Sequence, residues 1–349
     1  MNRNAARPVR AMIVDDSASM RAVLRKILAG DPAIEVVGAA PDPHSARTMI
    51  KDLNPDVLTL DVEMPGMNGI EFLEKIMRLR PMPVVMCSTL TARGTDIAIE
   101  AMRLGAVDCV AKPSGGPAAI ERNAHLLRDT VKSAARSRMP RIDHRPHHAR
   151  AGTALDTEML IAIGASTGGV EALFSLLTAL PASVPPIMVV QHMPGAFTPG
   201  FAARLDKLCP MRVVEARHGD AIEANTVYIA PGSEAHMTLR GGRHGRIHLD
   251  AADPVSGHRP SVDVLFNSCA ALGARAIGAV LTGMGRDGAD GLRAMRDAGA
   301  ATFGQDEDSC VIYGMPRAAK QNGAVDQELG LDAIPAAILK ACRKHRGGK

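Results

Sequence analysis

Short apolar runs alternate with amphipathic stretches twice along this chain. Over roughly residues 8 to 125 the runs VRAMIVDD, EVVGAA, DVLTLDV, PVVMCST and DCVAKP recur about one βα unit apart. Over roughly 156 to 345, MLIAIGAS, PIMVVQHM, TVYIAPG, AIGAVLTGMG and ATFGQDE follow the same rhythm. Continuous apolarity, rather than alternation, is what a strand buried on both faces requires, and helical stretches between such strands make the crossovers of a parallel sheet. The pattern therefore predicts an α/β class chain with two doubly wound parallel-sheet domains. Only near GRIHLDAADP and RPSVDVLF does the rhythm break, where a hairpin and a loop are expected.

Between the two halves, Lys132 to Gly152 carries six Lys/Arg and three His against one acid and has little to bury. Such a stretch reads as a flexible basic tether. The predicted layout is a first domain over 8–125, a linker over 126–155 and a second domain over 156–345. The length of 349 residues suits two ordinary domains. With no Trp and 2% aromatic residues, the cores are expected to be aliphatic with Met as filler. Six scattered Cys without metal-like spacing read as reduced thiols, and no apolar stretch reaches membrane-spanning length, so a cytoplasmic location without membrane insertion is expected. A net charge of +4 is too mild to argue for nucleic acid, and the second half offers no helix-turn-helix or basic helix.

The ends of the first-half strands carry chemistry. Asp15 and Asp16 end the first strand and Asp61 the third. In a doubly wound sheet these ends converge on one edge, where three carboxylates repel unless a cation sits among them. An all-oxygen set suits Mg²⁺. Lys112 after the fifth strand brings a point charge suited to a phosphate, and Ser88 adds a hydroxyl. The motifs IVDDS, DVEMPGMNGIEF, STLT and VAKP, in this order, resemble the receiver domain of bacterial response regulators. The resemblance implies a flavodoxin-like fold and a phosphoryl group accepted on Asp61 from a sensor histidine kinase. It also implies Mg²⁺ held by Asp15, Asp16 and Asp61, with Lys112 and Ser88 contacting the phosphate. One position departs from the pattern: Cys109 stands where many receivers carry an aromatic residue that helps relay the signal.

In the second half, IAIGASTGGVEALFSLL turns from an apolar run through glycines into a helix. A serine at that bend, Ser166, is expected to be exposed and close to the N–H groups of the helix start. The site suits an anion or a nucleophile. It is not a Walker motif, because no Lys follows the glycines, and it fits the dinucleotide fingerprint poorly. A nucleophile needs a base and an orienting group. His192 follows a strongly apolar run, and Asp287 lies in the Gly-rich loop after another. His218, His236 and His258 are rival bases, and Asp263 and Asp290 rival acids; His244 and His248 flank a basic hairpin and read as exposed.

GASTGG, QHMPGAFT, YIAPG, HRPSVDVLF and LTGMGRDGADG resemble the catalytic domain of the chemotaxis protein-glutamate methylesterases, a family that joins a receiver to this domain. The resemblance implies a three-layer α/β/α domain with Ser166 as nucleophile, His192 as general base and Asp287 as orienting acid. It adds the Met284 N–H as an oxyanion donor and Thr167 as support for the histidine. It further implies ester hydrolysis without a cofactor on the cytoplasmic helices of chemoreceptors, deamidation of receptor glutamines, and activation by phosphorylation. The alternative is a response regulator with a non-catalytic output that binds DNA or protein.

Overall fold

A computed structural model describes residues 7–64, 68–89, 91–113, 117–137 and 155–343. The chain divides into two compact units, residues 1–139 and 140–349.

In the first unit, β1 (Val9–Val14), β2 (Ile34–Ala40), β3 (Val57–Asp61), β4 (Val84–Ser88) and β5 (Asp108–Ala111) form a parallel sheet in the order β2-β1-β3-β4-β5. The expected runs became these strands because a central strand has no solvent face: β3 and β4 are buried at every position. The crossovers are α1 (Ala18–Ala29), α2 (Pro43–Leu53), α3 (Gly69–Leu79) and α4 (Ala92–Arg103), with α5 (Pro117–Ala134) last. Ser17, Asp42, Asn68 and Thr91 cap the first four, each accepting an N–H of the first turn, worth about 1 kcal/mol apiece.

The expected linker start at residue 126 is corrected by α5, which continues through Ala134. Leu127, Val131 and Ala134 form its buried face. Arg128 donates to the Ile27 carbonyl at 2.8 Å, and Lys132 pairs with Asp31 at 2.8 Å. These contacts tie residues that read as tether to the end of α1. Residues 138–154, the rest of the expected linker, lie outside the described residues.

The second unit is built on a parallel sheet in the order β14-β13-β12-β6-β7-β9-β8. The strands are β6 (Leu160–Ala165), β7 (Ile187–Gln191), β8 (Arg212–Glu215), β9 (Thr226–Ile229), β12 (Ala276–Val280), β13 (Ala301–Gln305) and β14 (Gln327–Leu329). Central strands β6, β7 and β12 are wholly buried. The apolar pattern does not mark β8 and β14, two edge strands of four and three residues with partly exposed faces. An edge strand does not need the continuous apolar run that marks a central one. The expected hairpin is β10 (His236–Arg240) with β11 (Arg246–Asp250), antiparallel and separate from the main sheet.

Helices α6 (Gly169–Thr178), α7 (Thr198–Leu208) and α11 (Ile334–Arg343) pack as one group; α8 (Val262–Ala270), α9 (Ala289–Asp297) and α10 (Met315–Gln321) pack as the other. The core departs from the aliphatic expectation. Five of the six Phe in the chain lie in this unit, and Phe197, Phe201, Phe266 and Phe303 are fully buried. The first unit keeps an aliphatic core with Met12 and Met86.

Strand order fixes where a site can form. From β6 the chain moves outward through β7 to the edge strand β8, steps back to β9, then returns to β12 on the other side of β6. The reversal makes the carboxyl ends of β6, β7 and β12 a switch point, the usual ligand crevice of an open α/β sheet.

Candidate active site

Ala165 of β6 pairs with Gln191 of β7, and the His192 N–H continues the ladder to the Ala165 carbonyl at 3.0 Å. Ser166 and His192 are therefore the first residues past the last rung, side by side on the same edge. The Ser166 N–H donates to the Thr282 carbonyl at 3.0 Å, which ties the bend to the end of β12 as well. The expectation of an exposed Ser166 is corrected: the residue keeps only 8% of its surface. The loop after β12 crowds it, and a Cβ on Gly283 would stand 2.7 Å from the Ser166 Cβ. Only glycine permits that approach. Met284, the next residue of this loop, is 39% exposed. Thr167 is buried, and its carbonyl accepts from the Thr282 hydroxyl at 3.0 Å.

His192 Nε2 lies 2.8 Å from Asp287 Oδ2. Its Nδ1 is buried and makes no hydrogen bond among the described residues. Asp287 is itself 1% exposed and saturated. Besides His192 it accepts from the Ser261 hydroxyl at 2.7 Å and from the Val262 and Asp263 N–H groups at 2.7 and 3.0 Å. The last two open α8, so the carboxylate sits at the positive end of a helix. Burial opposes its charge, but the His192 hydrogen bond, the imidazole's charge and the two N–H groups hold its pKa at about 2. A carboxylate so held accepts the Nε2–H of His192 and fixes the orientation of the ring.

The rival residues separate cleanly. His218 is exposed and meets the Leu249 backbone at 3.3 Å. Buried His236 bonds the Asp253 carbonyl through Nε2 and receives the Ser261 N–H on Nδ1, so it braces the cap of α8. Asp290 is paired with Arg286 on the surface. Asp263 accepts the Gly291 N–H at 2.7 Å; burial, with Asp287 nearby, pushes its pKa up to about 6. His258, expected from sequence only as a rival base, has another place. Its ring stacks on His192 with centroids 3.8 Å apart and planes within 5°. Burial and the neighbouring His192 hold its pKa down at about 4. A neutral ring there covers one face of the His192 imidazole. The signal was slight, because His258 lies in an irregular loop far from the strand ends.

Residues 161–338 match the CheB methylesterase family model, and residues 11–122 match the response regulator receiver domain. The protein-glutamate methylesterase/protein-glutamine glutaminase 1 of Caulobacter vibrioides is 52% identical over 97% of this chain and 99% of its own length. That of Dechloromonas aromatica is 50% identical over 95% and 98%. The crystal structure of the Thermotoga maritima CheB methylesterase catalytic domain aligns with a TM-score of 0.51 at 34% identity, covering 52% of this chain and 97% of that one. The chain belongs to the CheB methylesterase family.

The receiver half of this CheB-family chain carries the second cluster. Asp15, Asp16 and Asp61 each offer a carboxylate oxygen, all within 4.8 Å of one another. Asp15 and Asp61 are buried; Asp16 is exposed. Lys112 Nζ stands 2.9 Å from Asp15 Oδ2 and 2.7 Å from Asp61 Oδ2. Those two oxygens are buried without well-aligned hydrogen bonds. Burial raises the Asp61 pKa against the pull of Lys112. Burial works to lower the Lys112 pKa, but its two acids together outweigh it, so the lysine's pKa rises. One lysine among three acids leaves the cluster short of positive charge, and an all-oxygen, negative site fits Mg²⁺. Ser88 is buried and donates to the Thr89 carbonyl at 2.9 Å. Cys109 is buried on β5. No helix among the described residues is long and apolar enough to cross a membrane.

Proposed function

We propose that this chain is a phosphorylation-activated protein-glutamate methylesterase. It hydrolyses γ-glutamyl methyl esters on the cytoplasmic helices of chemoreceptors and deamidates selected receptor glutamines. The observation that supports this most is the His192–Asp287 hydrogen bond, which leaves the buried Nδ1 without a partner among the described residues, one residue past the rung that precedes Ser166.

Ser166 Oγ attacks the ester carbonyl as its proton passes to His192 Nδ1. The imidazolium that forms keeps its Nε2–H on Asp287, whose charge its buried donors sustain. The carbonyl oxygen becomes an oxyanion against the Met284 N–H; one such donor contributes about 3 kcal/mol to the transition state. The acyl–oxygen bond then breaks, and methoxide leaves as methanol with the proton from Nδ1. Water, deprotonated by the same nitrogen, releases the glutamate and restores Ser166. With a glutamine substrate the leaving group is ammonia. Thr167 supports the arrangement through the backbone that Thr282 holds.

Asp61 accepts the phosphoryl group of a sensor histidine kinase. Mg²⁺ held by Asp15, Asp16 and Asp61 would neutralise charge on the phosphoryl oxygens. Lys112 already spans Asp15 and Asp61 and would contact the phosphate, and the Ser88 hydroxyl would turn to it from the Thr89 carbonyl. The domain assignment that goes with this reading is a receiver ending with α5, a basic linker, and the catalytic domain to about residue 345. Methanol release from methylated receptor, with and without a small phosphodonor, tests the reading. The expected result is release that rises with the phosphodonor; no methanol in either case would refute it.

A further inference from the structure

Past the Ala165–Gln191 rung the β6–β7 ladder stops, because the two chains must part to form a helical turn and a loop. At that point the Gln191 side chain takes over. Its amide nitrogen donates to the Ser166 carbonyl at 2.9 Å and to the His192 carbonyl at 3.0 Å. A carboxamide has two N–H groups, and both are used. Gln191 is 3% exposed, and its Oε1 is buried with no hydrogen-bond partner among the described residues. An orphaned buried acceptor is costly, so the fold retains this side chain for its donors. The neighbouring helix start yields space for it: a Cβ on Gly169 would stand 2.2 Å from Gln191 Oε1. The last glycine of GASTGG is thereby explained as room for an amide rather than for an anion.

We propose that Gln191 is a positioning residue that sets the reach between Ser166 and His192 by bridging their backbone carbonyls. The inference rests on the assignment of those two residues as nucleophile and base. Gln191 touches no reacting atom, so its effect falls on the alignment of the attack and not on the grip on the ester.

The test is Gln191→Glu in the full chain. It keeps the shape and replaces two donors with an anion facing two carbonyls. The expected result is a kcat about 100-fold lower, the scale of an ångström of misplacement, with KM within about twofold. Labelling of Ser166 by a fluorophosphonate should slow in parallel. Protonating the introduced carboxylate would restore one donor, so the deficit relative to wild type should shrink as pH falls; the fall in kcat at nearly constant KM is what a purely structural role would not produce. If Gln191→Glu does not fold, Gln191→Asn carries the same test, with an amide too short to span both carbonyls. A kcat within threefold of wild type in the folded variant would overturn the proposal. Ser166→Ala is the control: if it stays active, the nucleophile assignment itself is wrong.

Discussion

Both halves of this chain use a doubly wound parallel sheet and place their polar side chains at its carboxyl edge, but they treat buried charge in opposite ways. In the receiver, Asp15 and Asp61 are buried together, and Lys112 is the cation between them. Their inner oxygens have no well-aligned donor. In the catalytic half Asp287 receives four hydrogen bonds, from His192, Ser261, Val262 and Asp263, while burial and the nearby Asp287 push the pKa of its buried neighbour Asp263 up to about 6. One edge is left short of positive charge, which suits the cation and phosphoryl group proposed for it. At the other, the Asp287 carboxylate is already fully supplied with donors, which suits the preorganised role proposed for it. Architecture alone does not distinguish the two; the supply of donors does.

Asp287→Asn should have the largest effect on this contrast. Asn offers an amide where four donors converge, and the imidazole loses the acceptor that fixes its tautomer. Esterase kcat should fall by about 10⁴-fold, while phosphoryl uptake on Asp61 is unchanged. A loss below tenfold would break the distinction. Asp61→Asn acts on the other edge: basal methanol release should stay within twofold of wild type, and stimulation by phosphodonor should vanish. An activation of about tenfold is at stake, which needs only about 1.4 kcal/mol of coupling. Persistent stimulation would show that the receiver signals through another group.

The smallest effect concerns protons. His258 should titrate near pH 4 by NMR. Its folded pKa lies below the unfolded value of about 6.5, so folding favours the neutral ring. The stability this contributes is full above about pH 6.5 and is lost as pH falls through about 4. His258→Phe keeps a stacked ring and removes that loss. A His258 ring titrating near 6.5 would mean that the stack leaves it open to water.

Much of this is readable in the chain itself. Asp61, Lys112, Ser166 and His192 each end or closely follow an apolar run, and in a parallel sheet such positions must share an edge. The rest depends on features with no period. The strands β8 and β14 are too short and too exposed at the sheet edges to show a continuous run. The turn of the imidazole, Nε2 to the acid and Nδ1 open, is set by the donors around Asp287, which come from the start of α8. His258 reaches His192 from an irregular loop. The last turns of α5 do leave a signal, masked by charge: Leu127, Val131 and Ala134 have helical spacing within a stretch whose basic composition reads as tether.

Mass spectrometry of the full chain after a fluorophosphonate tests the central claim most directly, that Ser166 is a nucleophile activated by His192. The account predicts one adduct, on the peptide carrying Ser166, lost in Ser166→Ala and strongly slowed in His192→Ala. An adduct on another residue, or labelling of Ser166 at the same rate without the imidazole, would contradict it.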